Sequence, residues 1–149
     1  MIKITVPATS ANLGIGYDTL GMAVSLYAHF TFERSDQLAI TGCPERFCNE
    51  DNLVYASFAN ALRAWGEEPF AVRIRIDTQV PVAPGLGSSS TCVVAGIMAA
   101  AALSGHMVDR AELVRLATAV EGHPDNVAPA ILGGAVCSLT PAREQPRCL

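Results

Sequence analysis

The sequence predicts an α+β domain in which helices pack on a mostly antiparallel sheet. Short runs of alternating apolar and polar residues predict strands, and they are interleaved with capped segments of helical periodicity. The chain has 149 residues, of which 50% are hydrophobic and 16% charged, so it can bury a core. Its elements follow one another as strands, helix, strand, helices and strand, which is typical of this class.

The first third of the chain consists of strands separated by one long loop. Apolar residues alternate with polar ones over residues 2–6 and predict a strand that ends at Pro7. Residues 7–21 are rich in small and turn-forming residues and predict a loop. Residues 23–33 are rich in β-branched and aromatic side chains and predict a second strand, with which residues 38–41 could pair.

Three helices are predicted from their caps and their apolar content. Asp51 or Asn52 caps a helix over residues 53–65. The Ala-rich apolar run of residues 91–103 is shorter than a membrane span, so it predicts a buried helix. An Asp-x-x-Glu capping box opens a third helix over residues 110–120.

Two further strands complete the prediction. Residues 72–76 alternate between apolar and charged side chains, and residues 135–139 are apolar and follow a polar loop at residues 121–126. The domain is expected to span residues 1–139. The remaining residues, 140–149, contain two prolines and no pattern, so we expect them to form an unstructured tail.

Charge and cysteine content narrow the class of protein. The formal net charge is −4 and no Lys/Arg cluster occurs, which argues against a nucleic-acid partner. The five cysteines form no C-x-x-C pair and have no histidine at ligand spacing, so reduced thiols fit better than a zinc site or a disulfide framework. The N-terminus has no signal-peptide core. We therefore expect a cytoplasmic protein with no membrane partner.

The glycine-rich segment before the second helix carries a strong chemical signal. Residues 81–91 read PVAPGLGSSST, so two glycines and three serines stand at the start of a helix. Glycines let backbone N–H groups approach phosphate oxygens, and a helix N-terminus favours an anion. The segment has no Walker A lysine and fails G-x-G-x-x-G at Ser90. A turn with serine caps is the alternative, but the strand–loop–helix context favours phosphate binding.

This segment is similar to the ATP-binding signature of the GHMP kinases (galacto-, homoserine, mevalonate and phosphomevalonate kinases). Thr91 stands where that family often has alanine. The resemblance implies the N-terminal domain of these kinases, a fold type shared with ribosomal proteins. It also implies that Ser89 supplies a hydroxyl ligand to Mg²⁺. The residues that would wrap the phosphates of ATP are Pro84, Gly85, Leu86, Gly87, Ser88, Ser89 and Ser90.

A second segment, residues 7–18, reads PATSANLGIGYD and resembles the opening motif of the homoserine kinase group. It departs from the usual motif at two positions, an isoleucine for proline and a tyrosine for phenylalanine. The amide of Asn12 can hold a substrate hydroxyl, and the carboxylate of Asp18 suits an α-ammonium group. Alone, both residues could merely stabilise the turn through Asx-type bonds. Mevalonate and galactose kinases carry lysine or arginine near the position of Thr9, which counts against those branches.

A third segment, EGHPDNVAP at residues 121–129, also resembles the homoserine kinase pattern. Glu121 is the candidate second Mg²⁺ ligand. Asp125 occupies the position of the catalytic base in the mevalonate branch and, without a lysine partner, could do no more than position the acceptor. Asn126 could bind the acceptor hydroxyl, and His123 is expected to be a structural hydrogen-bonding residue. Because placement and charge neutralisation supply most of the catalysis in phosphoryl transfer, a strong base is not required.

The resemblance implies a kinase that uses ATP and Mg²⁺ to phosphorylate the hydroxyl of L-homoserine, a step of threonine biosynthesis, and that could form a homodimer. Family members continue into a second α+β domain that this sequence lacks, so we expect a truncated chain with impaired activity. Three alternatives stay open. They are another small-molecule GHMP kinase, a non-catalytic remnant, and an RNA-binding domain, which the net charge disfavours.

Overall fold

The computed structural model describes residues 1–82, 85–139 and 147–148 of the chain. The strands are β1 (Ile2–Ala11), β2 (Leu20–Arg34), β3 (Ala39–Thr41), β4 (Val72–Thr78), β5 (Ala135–Leu139) and β6 (Arg147–Cys148). The helices are α1 (Leu53–Ala64), α2 (Ser88–Ser104), α3 (Arg110–Glu121) and α4 (Val127–Leu132), with a 3₁₀ turn at Glu45–Phe47.

The long strand β2 organises the sheet. β1 pairs along one edge of β2. On the other edge, β4 pairs with one end of β2 and β5 with the opposite end, while β3 pairs with β4 and β6 with β5. Every pairing is antiparallel except the one between β3 and β4. The prediction of an α+β fold with a mostly antiparallel sheet is therefore confirmed.

One face of the sheet is buried against the helices. Alternate residues of β1 and β2, such as Val6 and Phe30, are fully buried and share one apolar core with α1 and α2. The two helices approach at backbone distance, because a Cβ on Gly96 of α2 would lie 2.3 Å from the carbonyl oxygen of Val54 in α1. This contact holds α2 in place, and the first turn of α2 belongs to the site described below.

The three predicted helices are confirmed, with two of their caps. Asn52 precedes α1, and its side chain accepts a hydrogen bond of 3.0 Å from the N–H of Val54. Asp109 precedes α3 and accepts one of 2.8 Å from the N–H of Glu112. In the part of the chain that the structure describes, no helix has both the length and the apolar character that crossing a membrane requires.

The first strand is longer than predicted. β1 continues through Pro7 to Ala11, and β2 already begins at Leu20, so the loop between them covers only residues 12–19. Proline is tolerated here because, within the described ranges, β1 pairs only with β2 and the pairing shifts register between Pro7 and Thr9. The prediction of a loop over residues 7–21 is therefore wrong at both of its ends.

The pairing of the third strand also differs from the prediction. β3 pairs in parallel with β4 rather than with β2, because β1 and β4 already occupy both edges of β2 in that region. A short helix, α4, occupies residues for which the sequence predicted no helix. Pro129 lies in its first turn, where a missing N–H costs no helical hydrogen bond.

The end of the chain returns to the sheet at two residues. Arg147 pairs with Leu139 and Cys148 with Ser138, so the prediction of an unstructured tail is wrong at these two positions. The other residues of that tail, 140–146 and 149, lie outside the described residues, as does Pro84 of the predicted phosphate loop.

Candidate active site

A cleft of about 520 Å³ opens where three loops meet. The loops follow β1, precede α2 and join α3 to α4. The residues of the three sequence motifs that line the cleft are Asn12, Gly85, Gly87, Ser88, Ser89, Glu121 and Asn126. Ala11, Val82 and His123 also line it, and the motif analysis assigned them no role there. The fold thus brings together most of the predicted site residues, which lie far apart in the sequence.

The first turn of α2 faces this cleft. The helix begins after Gly87, and its first backbone hydrogen bond runs from the N–H of Thr91 to the carbonyl oxygen of Gly87. The three preceding N–H groups belong to serines and have no partner within the helix, as in every helix N-terminus. These donors and the helix dipole make the position suited to an anion.

Gly87 is required where β1 and the glycine-rich loop before α2 touch. Its φ is +59°, and a Cβ there would lie 2.1 Å from Oγ1 of Thr9. The N–H of Thr9 donates a hydrogen bond of 3.2 Å to the carbonyl oxygen of Leu86, which ties the loop to β1. The loop is therefore held against the strand by backbone contact that a side chain would prevent.

Glu121 lies over the first turn of α2. The hydroxyl of Ser89 donates a hydrogen bond of 2.5 Å to Oε1 of Glu121, and the hydroxyl of Ser90 lies 3.3 Å from the same oxygen. Ser89 and Glu121 both line the cleft, whereas Ser90 is buried. A hydroxyl and a carboxylate are the hard oxygen ligands that Mg²⁺ prefers, so this pair of residues fits such an ion.

Asn126 is oriented by a residue of β1. Oγ1 of Thr9 donates a hydrogen bond of 2.8 Å to Oδ1 of Asn126, and Thr9 is fully buried. Because Oδ1 is engaged in this way, the side-chain NH₂ is the group that Asn126 can offer to a ligand in the cleft. The sequence singled out Thr9 only for the absence of a lysine, and its motif contained no signal of this contact.

Asn12 and Asp18 have an uncommon backbone conformation. Their φ angles are +59° and +52°, and no other non-glycine residue in the described ranges has a positive φ. Oδ1 of Asn12 accepts a hydrogen bond of 2.8 Å from the N–H of Asp18, so the turn-stabilising role of Asn12 is present. Asn12 lines the cleft as well. Backbone strain of this kind is common at ligand sites.

Asp125 faces His123 rather than the cleft. Its Oδ1 lies 2.5 Å from Nδ1 of His123, and its side chain is fully buried. Oδ2 of Asp125 is also buried and has no hydrogen-bond partner among the described residues. Asp125 therefore does not line the cleft, and direct contact between this carboxylate and an acceptor is the part of the prediction that the geometry does not support.

His123 lies close to two acidic residues, Asp18 and Asp125, at the edge of the cleft, and Glu121 is near enough for its charge to act on the imidazole. One ligand atom each of Asp18, His123 and Asp125 lie within 4.8 Å of one another. The hydrogen bond that the imidazole donates to Asp125 raises the pKa of His123, partial burial opposes this, and the charges of Asp125, Asp18 and Glu121 raise it further. The sequence predicted a structural hydrogen bond for His123, and the His-x-Asp spacing was the available signal for its partner.

The comparisons with known proteins identify the family of the chain. Residues 52–134 match the family described as the GHMP kinases N terminal domain. A homoserine kinase of Clostridium botulinum is 46% identical over 145 residues, which are 97% of this chain and 49% of that relative. This chain therefore spans about half the length of the curated relatives that it matches.

Two solved structures are similar over nearly the whole chain. One, described as a homoserine kinase from Listeria monocytogenes, has a TM-score of 0.87 and 37% identity and covers 99% of this chain and 52% of its own. The homoserine kinase of Cytophaga hutchinsonii has a TM-score of 0.76 and 30% identity and covers 99% of this chain and 50% of its own.

Proposed function

The chain belongs to the GHMP kinases, and we propose that it forms the nucleotide-binding half of a homoserine kinase. The reaction would transfer the γ-phosphate of ATP to the hydroxyl of L-homoserine and give O-phospho-L-homoserine. The observation that carries the proposal is one cleft in which the glycine-rich loop, the Ser89–Glu121 pair and the amide of Asn126 face the same space.

The phosphates of ATP would lie at the start of α2. Gly85 and Gly87 both have positive φ and present backbone to the cleft, and the free N–H groups of the next turn follow at once. The chain has no lysine in this loop. The proposal therefore assigns charge neutralisation to backbone donors, the helix dipole and a metal ion.

Mg²⁺ is the ion that the family implies, and Ser89 and Glu121 would hold it. When bound, it neutralises the charge of the nucleotide phosphates during transfer. The short hydrogen bond between the two side chains keeps both oxygens at the same wall of the cleft. Ser90 adds a second hydroxyl beside Glu121 from the buried side.

Asn126 would position the acceptor. Its NH₂ donates a hydrogen bond to the acceptor hydroxyl oxygen, because Oδ1 is already bound to Thr9. The amide holds the oxygen in place and does not remove its proton. In this reaction, correct placement of the acceptor and the charge around the phosphate account for most of the catalysis.

The acidic edge of the cleft would receive the α-ammonium group of homoserine. Asp18 is exposed there beside His123 and Asp125, and Glu121 is close enough to act on His123, so carboxylates outnumber the one imidazole and the local charge favours a cation. Asp125 contributes through His123, whose imidazole it holds, and is a positioning residue in this proposal.

Calorimetry tests the proposal on the 149-residue chain. We expect the folded chain to bind MgATP and, when saturated with an unreactive ATP analogue, to bind L-homoserine more tightly than mevalonate or galactose. A folded chain that binds no MgATP would contradict the assignment of the cleft. A chain that binds MgATP but prefers another acceptor would contradict only the choice of substrate.

A further inference from the structure

A pair of cysteines lies in the segment that connects β3 to α1. Cys43 and Cys48 flank the 3₁₀ turn at Glu45–Phe47, and their Sγ atoms are 3.6 Å apart. Cys48 is exposed, whereas Cys43 is half-buried against the apolar core. A disulfide requires the two sulfurs to approach to about 2.0 Å, so closure of this pair needs the two Sγ atoms to come about 1.6 Å closer together.

The segment is held in this shape by the residue that caps α1. Nδ2 of Asn52 donates a hydrogen bond of 2.8 Å to the carbonyl oxygen of Phe47 and lies 3.7 Å from Sγ of Cys43. Oδ1 of the same side chain caps the first turn of α1 at Val54. Asn52 is buried, so one ordered side chain fixes the cysteine-bearing turn to a helix of the core.

The other three cysteines have no comparable arrangement. Cys92 lies in the first turns of α2, and burial raises its pKa to about 11, which disfavours the reactive thiolate. Cys148 pairs directly with Ser138, so it lies on the same face of the sheet as Ser138. Cys137 precedes Ser138 in β5, and its side chain therefore lies on the opposite face.

We propose that Cys43 and Cys48 form a dithiol site that small disulfides, such as glutathione disulfide, oxidise reversibly to an intramolecular disulfide. In the first step the thiolate of Cys48 attacks one sulfur of glutathione disulfide, whose S–S bond breaks and releases one glutathione. In the second step the thiolate of Cys43 attacks Sγ of Cys48 in this mixed disulfide and releases the second glutathione. Two protein thiols are thus oxidised while one glutathione disulfide is reduced to two glutathiones.

The order of the two steps follows from the environments of the two thiols. Burial, the hydrogen bond with Cys48 and the charge of Cys48 raise the pKa of Cys43 to about 11. Cys43 therefore remains a thiol while Cys48 meets the reagent from solvent. Once Cys48 is bound in the mixed disulfide it carries no charge, so one cause of the raised pKa of Cys43 is removed and the second step becomes easier.

The site can be tested by equilibrating the full 149-residue chain in glutathione redox buffers, quenching with acid and alkylating the free thiols. Trypsin cleaves after Arg46, between the two cysteines, so the proposed disulfide links two tryptic peptides, residues 35–46 and 47–63. We expect this linked pair in oxidising buffers and three alkylated cysteines elsewhere. Addition of reduced glutathione should separate the peptides again.

Single variants test the role of each cysteine in the two steps. Cys43→Ser should stop the reaction at the mixed disulfide and accumulate one bound glutathione at residue 48. Cys48→Ser should react far more slowly, and Cys137→Ser is the control that should behave as the parent chain. The proposal is overturned if the linked peptides do not appear in fully oxidising buffer, or if another cysteine takes up glutathione first.

Discussion

The hydroxyl of Thr9 donates a hydrogen bond of 2.8 Å to Oδ1 of Asn126, a residue 117 positions later in the chain. Thr9 is also bonded through its N–H to Leu86 of the phosphate loop. One buried residue of β1 therefore contacts both the loop proposed to bind the nucleotide and the amide proposed to bind the acceptor. The two halves of the proposed reaction meet at this side chain.

Replacement of Thr9 tests this link. Thr9→Val keeps the shape of the side chain but removes the donor, so the amide of Asn126 loses its fixed orientation. In the chain joined to the C-terminal half of a homoserine kinase, we expect kcat for homoserine to fall about tenfold while MgATP affinity changes little. Thr9→Ser retains the hydroxyl and should restore most of the activity. Equal losses in the two variants would show that packing, not the hydrogen bond, matters.

A matched pair of glycine variants tests the contact between the loop and β1. Gly85 and Gly87 both have positive φ, so alanine at either position costs about 1–2 kcal/mol in backbone strain. Among the described residues, only the Cβ at Gly87 meets another atom, Oγ1 of Thr9. We expect Gly87→Ala to lower both Tm and MgATP affinity clearly more than Gly85→Ala, as measured by thermal unfolding and calorimetry. Indistinguishable variants would contradict the close contact.

Glu121→Gln tests the proposed metal ligand. The amide keeps the size of the side chain but removes the negative charge that attracts Mg²⁺. We expect Mg²⁺ to increase ATP affinity in the parent chain and this increase to shrink at least about tenfold in the variant. ATP affinity without Mg²⁺ should not fall, because a negative charge has been removed. Glu68→Gln, at an exposed residue outside the cleft, is the control and should retain the full effect of Mg²⁺.

The pair of His123 and Asp125 predicts a pH dependence of stability. Because the pKa of His123 is raised in the folded chain, its protonated form stabilises the fold below the ordinary pKa of about 6.5. This contribution is lost as the pH rises through the raised pKa. Since 46% of the side chain is exposed, water screens the interaction, and we expect it to stay below about 1 kcal/mol.

Proton NMR of the imidazole measures the pKa of His123 directly. We expect Asp125→Asn to lower the pKa of His123, because the largest cause of its raised value is removed. His123→Gln should lower the free energy of unfolding, relative to the parent chain, by more at pH 6 than at pH 9. A pKa of His123 that is unchanged in Asp125→Asn would contradict the interaction.

The parts of the fold that the sequence predicted correctly carry local signals. Asn52 and Asp109 cap their helices through short-range hydrogen bonds, so α1 and α3 could be located from a few neighbouring residues. The end of β1 was predicted wrongly at Pro7, because whether a strand can continue through a proline depends on which strands pair with it. The pairing of β3 likewise depends on which edges of β2 other strands already occupy.

The candidate site also contains features that have local sequence signals and features that depend on the tertiary fold. The motifs predicted that the glycine-rich loop and Glu121 belong to one site, and residues of both line the same cleft. Their roles there stay a prediction. The contacts of Thr9 with Asn126, and of His123 with Asp125, depend on side-chain orientation. The sequence motif contains Asp125 but carries no signal that its carboxylate is fully buried against His123.

The most direct test of the proposed homoserine kinase function is the acceptor preference of the chain joined to the C-terminal half of a homoserine kinase. ADP formation is measured with MgATP and homoserine, mevalonate or galactose, in the parent and in Asp18→Asn. We expect homoserine to give the highest kcat/KM. We also expect Asp18→Asn to raise the KM for homoserine at least about tenfold with little change in the KM for MgATP. Faster turnover of another acceptor, or an unchanged KM for homoserine in the variant, would contradict the proposal.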